Sequence, residues 1–153
     1  AMKRSKVFAL ALTIAASSAL AAEPARFSGT WKENLEKSTK SNLTSYVNKI
    51  DATADSVKVT TISSGPRGER TFERTYTIGK EVTSKMPDGD EVITHAKWEG
   101  DALVIVSTVK ESDGAVDSNE KWSVSADGKT LTKQRHSHSA KGDRDETYIL
   151  EKQ

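Results

Sequence analysis

Apolar and polar residues alternate through most of the chain, and this alternation predicts β-strands. In 71–78, Phe72 and Tyr76 share one face with Arg74, while threonine and glutamate occupy the other face. The stretch 116–124 follows the same two-residue period. A strand with this period has one buried face and one hydrated face. The pattern therefore predicts strands that cover an interior on one side only.

Ten strands are predicted, with glycine-containing turns between them. From Gly68 to Gly142 a glycine recurs every 10 to 14 residues, often after aspartate, where a tight turn needs φ > 0. No segment of the mature chain has an apolar period of 3.6 residues, and 34–42 has room for at most one or two helical turns. The predicted strands are 27–33, 43–51, 56–63, 69–77, 80–86, 91–98, 102–110, 115–125, 129–137 and 144–151.

Short connections between these strands predict an antiparallel up-and-down meander. An open sheet of ten strands would expose two edges, whereas closure into a barrel removes them. A two-sheet sandwich is the competing arrangement, but it usually needs longer crossovers than these turns provide. The predicted fold class is therefore all-β, with about ten antiparallel strands closed into a barrel that can enclose a small ligand.

One predicted strand departs from the alternation. Leu103, Val104, Ile105 and Val106 are consecutive apolar residues. Such a run is typical of a strand that is covered on both faces or that touches a partner. It is also the segment of the chain most suited to self-association.

The first 22 residues have the pattern of a secretory signal peptide. A basic start precedes an apolar stretch and a small-residue segment, with cleavage expected after Ala21 or Ala22. An uncleaved membrane anchor is the alternative, but the apolar run is shorter than the ~20 residues that span a bilayer. We therefore expect a secreted or periplasmic protein with no stable membrane insertion after the signal is removed.

The chain length predicts one folded domain. Of the 153 residues, 1–22 are assigned to the signal peptide and 23–153 to a single β-barrel domain. Because Met2 follows it, we take Ala1 to be a residue added ahead of the natural start.

Composition and charge exclude several classes of protein. The chain has no cysteine, which excludes disulfides, thiolate metal sites and a lipid-modified cysteine. Without residues 1–22 it has 20 Lys and Arg against 22 Asp and Glu, a formal charge of −2. This balance argues against nucleic acid as a partner. The low content of large aliphatic residues favours an interior that is partly polar or hollow.

Four short segments resemble a known group of barrels. Phe27-Ser28-Gly29-Thr30-Trp31-Lys32 resembles the Gly-x-Trp first strand of the calycins, the group of lipocalins and fatty-acid-binding proteins, and 147–152 resembles the last strand of the latter. Together with 97–101 and 125–131, these segments also resemble small secreted bacterial lipocalin-like proteins of unassigned function. The resemblance implies a ligand-binding barrel in which Trp31 packs across the closed end and Gly29 lets the strand bend.

The chain also departs from these families. Segment 34–43 is too short for the two-helix lid of fatty-acid-binding proteins, and the C-terminal helix of lipocalins is missing. The Arg-x-Tyr pair that binds a carboxylate in the last strand has no match, because Arg144 and Tyr148 are four residues apart. The resemblance therefore implies a ligand-binding barrel but does not identify its ligand.

Charged residues on apolar strand faces are the candidate ligand-binding groups. Arg74 lies between Phe72 and Tyr76, and Glu120 lies two residues before Trp122. If these faces line the lumen, each charge needs a partner or a ligand. The alternatives are that the two charges pair with each other across the lumen, or that the face points outward at the strand end. The candidate ligand-binding residues include charged groups that would hold the polar part of a ligand and aromatic groups that would form the apolar wall of the site. They are Arg74, Tyr76, Trp98, Glu120, Trp122 and Arg135.

Arg135 has two interpretations. It could contact ligand, or it could stack on Trp31 as the packed arginine of lipocalins does. The first role would affect ligand retention, and the second would affect stability.

The remaining residues give no catalytic or cofactor signature. His136 and His138 share a strand face and could present two nitrogens to a metal, with Asp143 or Asp145 as a third ligand, but two exposed histidines near a turn explain the pattern without a metal. His95 has no motif around it. Neither a nucleophile elbow nor a phosphate-binding loop occurs. We therefore expect no enzyme, no metal and no cofactor, with an enzyme that uses a lumenal acid or histidine as the minor alternative.

Two functions follow from this sequence. The first is an exported protein that binds a small hydrophobic or amphipathic molecule in the barrel lumen. The second is a structural or interaction protein whose barrel is filled by its own side chains and which acts through its surface or by strand-edge assembly. Small inward residues (Ser84, Thr94, Ala96, Ser118) favour a cavity, whereas large ones (Arg74, Tyr76, Trp98, Trp122) could fill it.

Overall fold

The computed structural model describes residues 22–86 and 88–153. All ten predicted strands are present, with boundaries within two residues of the prediction. A short 3₁₀ helix, Pro24–Phe27, precedes them. The strands are β1 (Gly29–Glu33), β2 (Ser45–Ala52), β3 (Ser56–Gly65), β4 (Gly68–Thr77), β5 (Glu81–Lys85), β6 (Glu91–Glu99), β7 (Ala102–Glu111), β8 (Gly114–Val124), β9 (Thr130–Ser139) and β10 (Gly142–Lys152).

One antiparallel sheet contains all ten strands in the order β4-β3-β2-β1-β10-β9-β8-β7-β6-β5. The first and last strands pair with each other, so the sheet curls into a barrel whose remaining edges are β4 and β5. At one end the segment after β4 reaches β6, because Ile78 forms a bridge with Ala96 and the Gly79 N–H donates to the Ala96 carbonyl at 2.9 Å. The predicted meander and barrel are confirmed, with a gap between β4 and β5 along the rest of that seam.

Glycine permits the tightest hairpins. Gly68 follows the two-residue turn between β3 and β4 with φ +85°, and Gly128 has φ +73° in the turn before β9. Side chains with a Cβ rarely adopt such angles.

The closed end of the barrel contains the hydrophobic core. Trp31 is fully buried, and its indole N–H donates to the Phe27 carbonyl at 2.8 Å, which ties the 3₁₀ helix across this end. Leu103, Leu131 and Leu150 are also fully buried in the same cluster. The position of Trp31 is the one that the resemblance implied.

The connection between β1 and β2 runs along β10 instead of forming a helical lid. The Asn34 N–H donates to the Ile149 carbonyl, and the Thr39 N–H donates to the Thr147 carbonyl, both at 2.8 Å. The Ser38 hydroxyl accepts from the Ile149 N–H at 2.9 Å. This segment continues the pairing of β10 past the end of the short strand β1.

The apolar run in β7 is covered on one face only. Leu103 and Ile105 are buried inside the barrel, while 46% of Val106 is exposed on the outer face. The prediction that other described residues cover both faces of this strand is therefore wrong, because buried and exposed side chains alternate along β7 as they do along its neighbours. Contact of Val106 with a partner stays a prediction.

The predicted signal peptide, apart from Ala22, lies outside the described residues. In the part of the chain that the structure describes, no helix has the length and apolarity needed to cross a membrane.

Candidate ligand-binding site in the barrel lumen

A cavity of about 350 Å³ occupies the barrel above its closed end. Inward side chains from β1 to β4 and from β6 to β10 line it, and Met86 reaches it from the segment after β5. Tyr76 and Trp122 meet edge to face across the lumen, with ring centroids 6.0 Å apart. Since this pair separates the cavity from the apolar core, the large aromatic residues form the floor of the cavity and do not fill it.

Lys133 lies at this floor. It stands opposite Trp122 on β8 and Tyr148 on β10 in the strand register. Its ammonium nitrogen is 3.7 Å from the centroid of the Trp122 ring, and it donates to the Asn48 Oδ1. Asn48 in turn donates to the Thr61 hydroxyl at 2.9 Å. The floor therefore has a polar network beside its aromatic pair.

Burial changes the proton affinity of the groups at the floor. Desolvation lowers the pKa of Lys133 to about 8, although the charges of Glu120 and Glu33 oppose this shift. Desolvation also raises the pKa of Tyr76 and of Tyr148 to about 12, with a further contribution from nearby glutamates. Both tyrosines remain neutral at physiological pH.

A charged row crosses the next level of the lumen. Arg135 on β9 stands between Glu120 on β8 and Glu146 on β10 in the strand register. The Arg135 Nη1 lies 3.5 Å from the Glu146 Oε2, and the Arg144 Nη2 lies 3.1 Å from the Glu146 Oε1. Glu120 accepts a hydrogen bond from the Trp122 indole N–H at 3.1 Å. Each of these carboxylates therefore has a donor.

The proposed stacking of Arg135 on Trp31 is wrong. Arg135 lines the cavity and pairs with Glu146. The cation above the Trp31 ring is Lys152, whose ammonium nitrogen is 5.2 Å from the ring centroid.

Arg74 faces the cavity from β4. It is half-buried, and no carboxylate of the described residues lies within 4 Å of its guanidinium. The alternative that Arg74 pairs with Glu120 across the lumen is therefore wrong. Arg74 remains available to an anionic group inside the cavity.

Glu33 is a lumenal acid that the sequence prediction missed. Only 6% of it is exposed, and its Oε1 accepts no hydrogen bond in the structure. Desolvation raises its pKa, while the Ser38 hydroxyl and the Lys133 charge oppose the shift. The two-residue alternation with Trp31 places it on the inner face and could have identified it; the same rule applies to Lys133 beside Leu131.

A row of small hydroxyl side chains forms one wall of the barrel. In the strand register, Thr94, Ser107, Ser118 and Ser137 stand beside one another on β6, β7, β8 and β9. All four are buried. Their small size leaves the space that larger inward residues would occupy, whereas Ser84 is exposed at the gap between β4 and β5.

Five of the six predicted site residues line the same cavity: Arg74, Tyr76, Glu120, Trp122 and Arg135. Trp98 does not. Its ring packs against Phe27 at the closed end, with centroids 5.2 Å apart, and its indole N–H donates to the Ala54 carbonyl at 3.2 Å. Trp98 points inward as predicted, but it lies at the end of β6 below the floor.

The histidine pair faces outward from β9. The His136 Nδ1 lies 2.7 Å from the Asp145 Oδ1, and the His138 Nδ1 contacts the Asp143 Oδ1. Hydrogen bonding to Asp145 raises the pKa of His136. Among residues 22–86 and 88–153, no group of three or more potential ligands is arranged to bind a metal.

The buried amine of Lys133 predicts an unusual pH dependence of stability. Between its folded pKa of about 8 and the ordinary lysine value, the unfolded state binds more protons, so Lys133 contributes a rise of about 2 kcal/mol to the free energy of unfolding from pH 8 to pH 10. The buried tyrosines offset part of this rise as the pH approaches 10. Above pH 10 the folded state retains the protons of Tyr76 and Tyr148 that the unfolded state loses, so stability falls.

Urea unfolding at several pH values measures this profile. Lys133→Met removes the rise between pH 8 and 10, whereas Lys121→Met, an exposed lysine on β8, keeps it. A wild-type profile that is flat or falls across this interval contradicts the prediction.

The sequence matches no protein-family model. Curated proteins contain no match either. Among solved structures, apo lipid binding protein 8 of Caenorhabditis elegans is similar, with a TM-score of 0.66 and 14% identity over 86% of this chain and 99% of that chain. This similarity decides the fold. The chain has the same barrel fold as that protein.

Two further solved structures have the same barrel. Fatty-acid-binding protein 1 of Echinococcus granulosus has a TM-score of 0.59 and 15% identity, over 83% of this chain and 97% of that chain. The ileal bile acid-binding protein of zebrafish, solved with cholic acid, has a TM-score of 0.55 and 14% identity, over 84% and 99%. The barrel fold is thus shared over 83% to 86% of this chain.

Proposed function

We propose that this protein binds a small amphipathic molecule with an anionic head group inside the barrel. The observation that carries the proposal is Arg74, a guanidinium that faces the cavity with no carboxylate within 4 Å among the described residues. A half-buried cation without a carboxylate partner favours an anion at that place, because the attraction between the two charges offsets the cost of their desolvation.

The layers of the lumen give the ligand an orientation. Arg74 and Arg135 lie close to the floor, at the level of the charged row, whereas Phe72, Val92 and Val109 line the cavity nearer to the mouth. An amphipathic molecule therefore places its head group at the arginines and its apolar part along the mouth-side wall. The hydroxyl row accepts polar substituents on the body of the ligand.

The structural neighbours support a binding function over an enzymatic one. Their names describe lipid binding, fatty-acid binding and, in the zebrafish protein, a complex with cholic acid. The alternative of a barrel filled by its own side chains lacks support, since a cavity of about 350 Å³ is present. The signal-like pattern of residues 1–22 supports the proposal that the carrier acts after export.

Titration with a fluorescent long-chain carboxylate tests this proposal, with the alcohol of the same chain length as the matched probe. A charge-assisted hydrogen bond contributes about 1.5–3 kcal/mol, so Arg74→Met weakens carboxylate binding by roughly 10- to 100-fold. The same substitution changes the affinity for the alcohol only slightly. Arg67→Met removes the same charge from the exposed β3–β4 turn and leaves both affinities unchanged.

Equal binding of the two probes to the wild-type protein contradicts the anionic head group. Equal losses in the Arg74 and Arg67 variants contradict the role of Arg74. Thermal unfolding of each variant shows whether a loss of affinity is caused by reduced stability of the fold.

A further inference from the structure

Lys133 has a chemical environment that differs from that of every other described lysine. It is 4% exposed, whereas the other lysines of residues 22–86 and 88–153 are exposed. Its nitrogen has two neighbours, the Asn48 Oδ1 and the face of the Trp122 ring. Since an ammonium group has three N–H directions, the third is free to point toward the cavity that Lys133 lines.

No carboxylate of the described residues pairs directly with this nitrogen. Glu33 and Glu120 line the same cavity, and their charges raise the pKa of Lys133. No oxygen of either carboxylate comes within 4 Å of the Lys133 nitrogen. A buried ammonium without an ion pair is costly, so burial shifts the protonation equilibrium of Lys133 toward the neutral amine. The aromatic face and the amide oxygen still orient the side chain.

The neutral amine is the reactive form of lysine. With the pKa of Lys133 lowered to about 8 by burial, about 10% of it is neutral at pH 7, against about 0.04% of an ordinary lysine. Desolvated lysines of this kind act as nucleophiles toward carbonyl compounds.

We propose that Lys133 captures aldehyde or ketone ligands in the lumen by forming an imine. This inference uses the lumenal site of the proposed function and adds a carbonyl-bearing class of amphipathic molecule to it. The polar carbonyl end reaches the floor beside Trp122, and the apolar chain extends toward the mouth.

The reaction needs no co-reactant. The Lys133 nitrogen donates its electron pair to the carbonyl carbon, and the carbonyl oxygen takes up a proton, which gives a carbinolamine. The C–O bond then breaks and the oxygen leaves as water, while the nitrogen forms a double bond to carbon and releases its remaining proton. One amine and one carbonyl thus give one imine and one water, with no change in oxidation state.

Several titratable groups face this amine and belong in any pH profile. They come from β1, β2, β4, β8, β9 and β10, and are Glu33, Tyr46, Arg74, Tyr76, Glu120, Arg135 and Tyr148. The tyrosines have raised pKa values because of burial and stay neutral below pH 9. Burial also raises the pKa of Glu33, so its protonation contributes to the pH profile alongside that of Lys133.

Reductive trapping tests the inference. The full chain is incubated with decanal and sodium cyanoborohydride, and the labelled lysines are identified by peptide mass spectrometry. We expect Lys133 to be labelled at least tenfold faster than the average exposed lysine, with a rate that rises from pH 6 and levels off above pH 8. Lys133→Arg, which keeps the cation, loses this fast label, whereas Lys121→Arg keeps it.

Labelling that is spread over the exposed lysines, with Lys133 unlabelled, overturns the inference. The wild-type map gives this answer even if the Lys133 variant fails to fold. Because the carboxylate titration is a separate measurement, an anionic probe that binds while Lys133 stays unlabelled refutes the imine alone. A labelled Lys133 without carboxylate binding refutes the anionic head group alone.

Discussion

Trp31→Ala is expected to lower the free energy of unfolding by about 3–5 kcal/mol, the range for removing a large buried aromatic side chain. Trp31 is fully buried in the core cluster, and its indole N–H is the donor that fixes the Phe27 carbonyl. The substitution leaves a cavity at the closed end and removes that hydrogen bond, so the 3₁₀ helix loses one of its attachments.

Urea unfolding followed by circular dichroism measures this loss. Trp98→Ala is the matched control, since Trp98 packs at the same end of the barrel but is only partly buried. We expect a clearly smaller loss for the control. A Trp31 variant that loses less than about 1 kcal/mol contradicts the assignment of the core to this end.

Ser118→Trp is expected to abolish ligand binding, with affinity reduced by roughly 100-fold or more. Ser118 is a buried inward residue of the hydroxyl row, and it lines the cavity. An indole at this position projects into the space that a ligand must occupy. The open cavity accepts the side chain without the strain that a packed core would impose.

Asn119→Trp provides a matched control for this prediction. Asn119 is the next residue on β8, and its side chain is exposed on the outer face. The same indole at this position leaves the lumen free and should leave the affinity within about twofold of wild type. If both variants bind alike, the ligand does not occupy the lumen.

The architecture was predictable because its signals are local. Two-residue alternation identifies the inner face of each strand, and turns such as Asp127-Gly128 mark where strands end. The Gly-x-Trp segment also predicted that Trp31 packs across the closed end of the barrel. Closure followed from the cost of exposed sheet edges, but the gap between β4 and β5 was not predicted, and the expected cover of β7 on both faces was wrong.

The partners of the lumenal charges were not predictable in the same way. Arg135 was assigned by alternation to the inner face, but its pairing with Glu146 depends on the register between β9 and β10. Height in the barrel depends on register as well, which is why Trp98 was placed in the site although it lies below the floor. Burial of Lys133 likewise arises from residues far apart in the sequence, Asn48 and Trp122.

The polar lumen gives the composition a physical meaning. A barrel with a compact apolar core at one end needs fewer aliphatic residues than a solid domain, and the remainder of its interior contains serines, tyrosines and charged side chains. Such an interior is stable only when its charges are paired or receive a partner. Glu146 has its arginines, whereas Arg74 has no carboxylate partner among the described residues.

Native mass spectrometry of the protein with a long-chain carboxylate tests the central claim most directly. We predict that the wild-type protein and the Asn119→Trp variant each retain one carboxylate per chain, while the Ser118→Trp variant remains unliganded. A wild-type protein that stays unliganded, or a Ser118→Trp variant that binds as well as wild type, contradicts the claim that the lumen is the binding site.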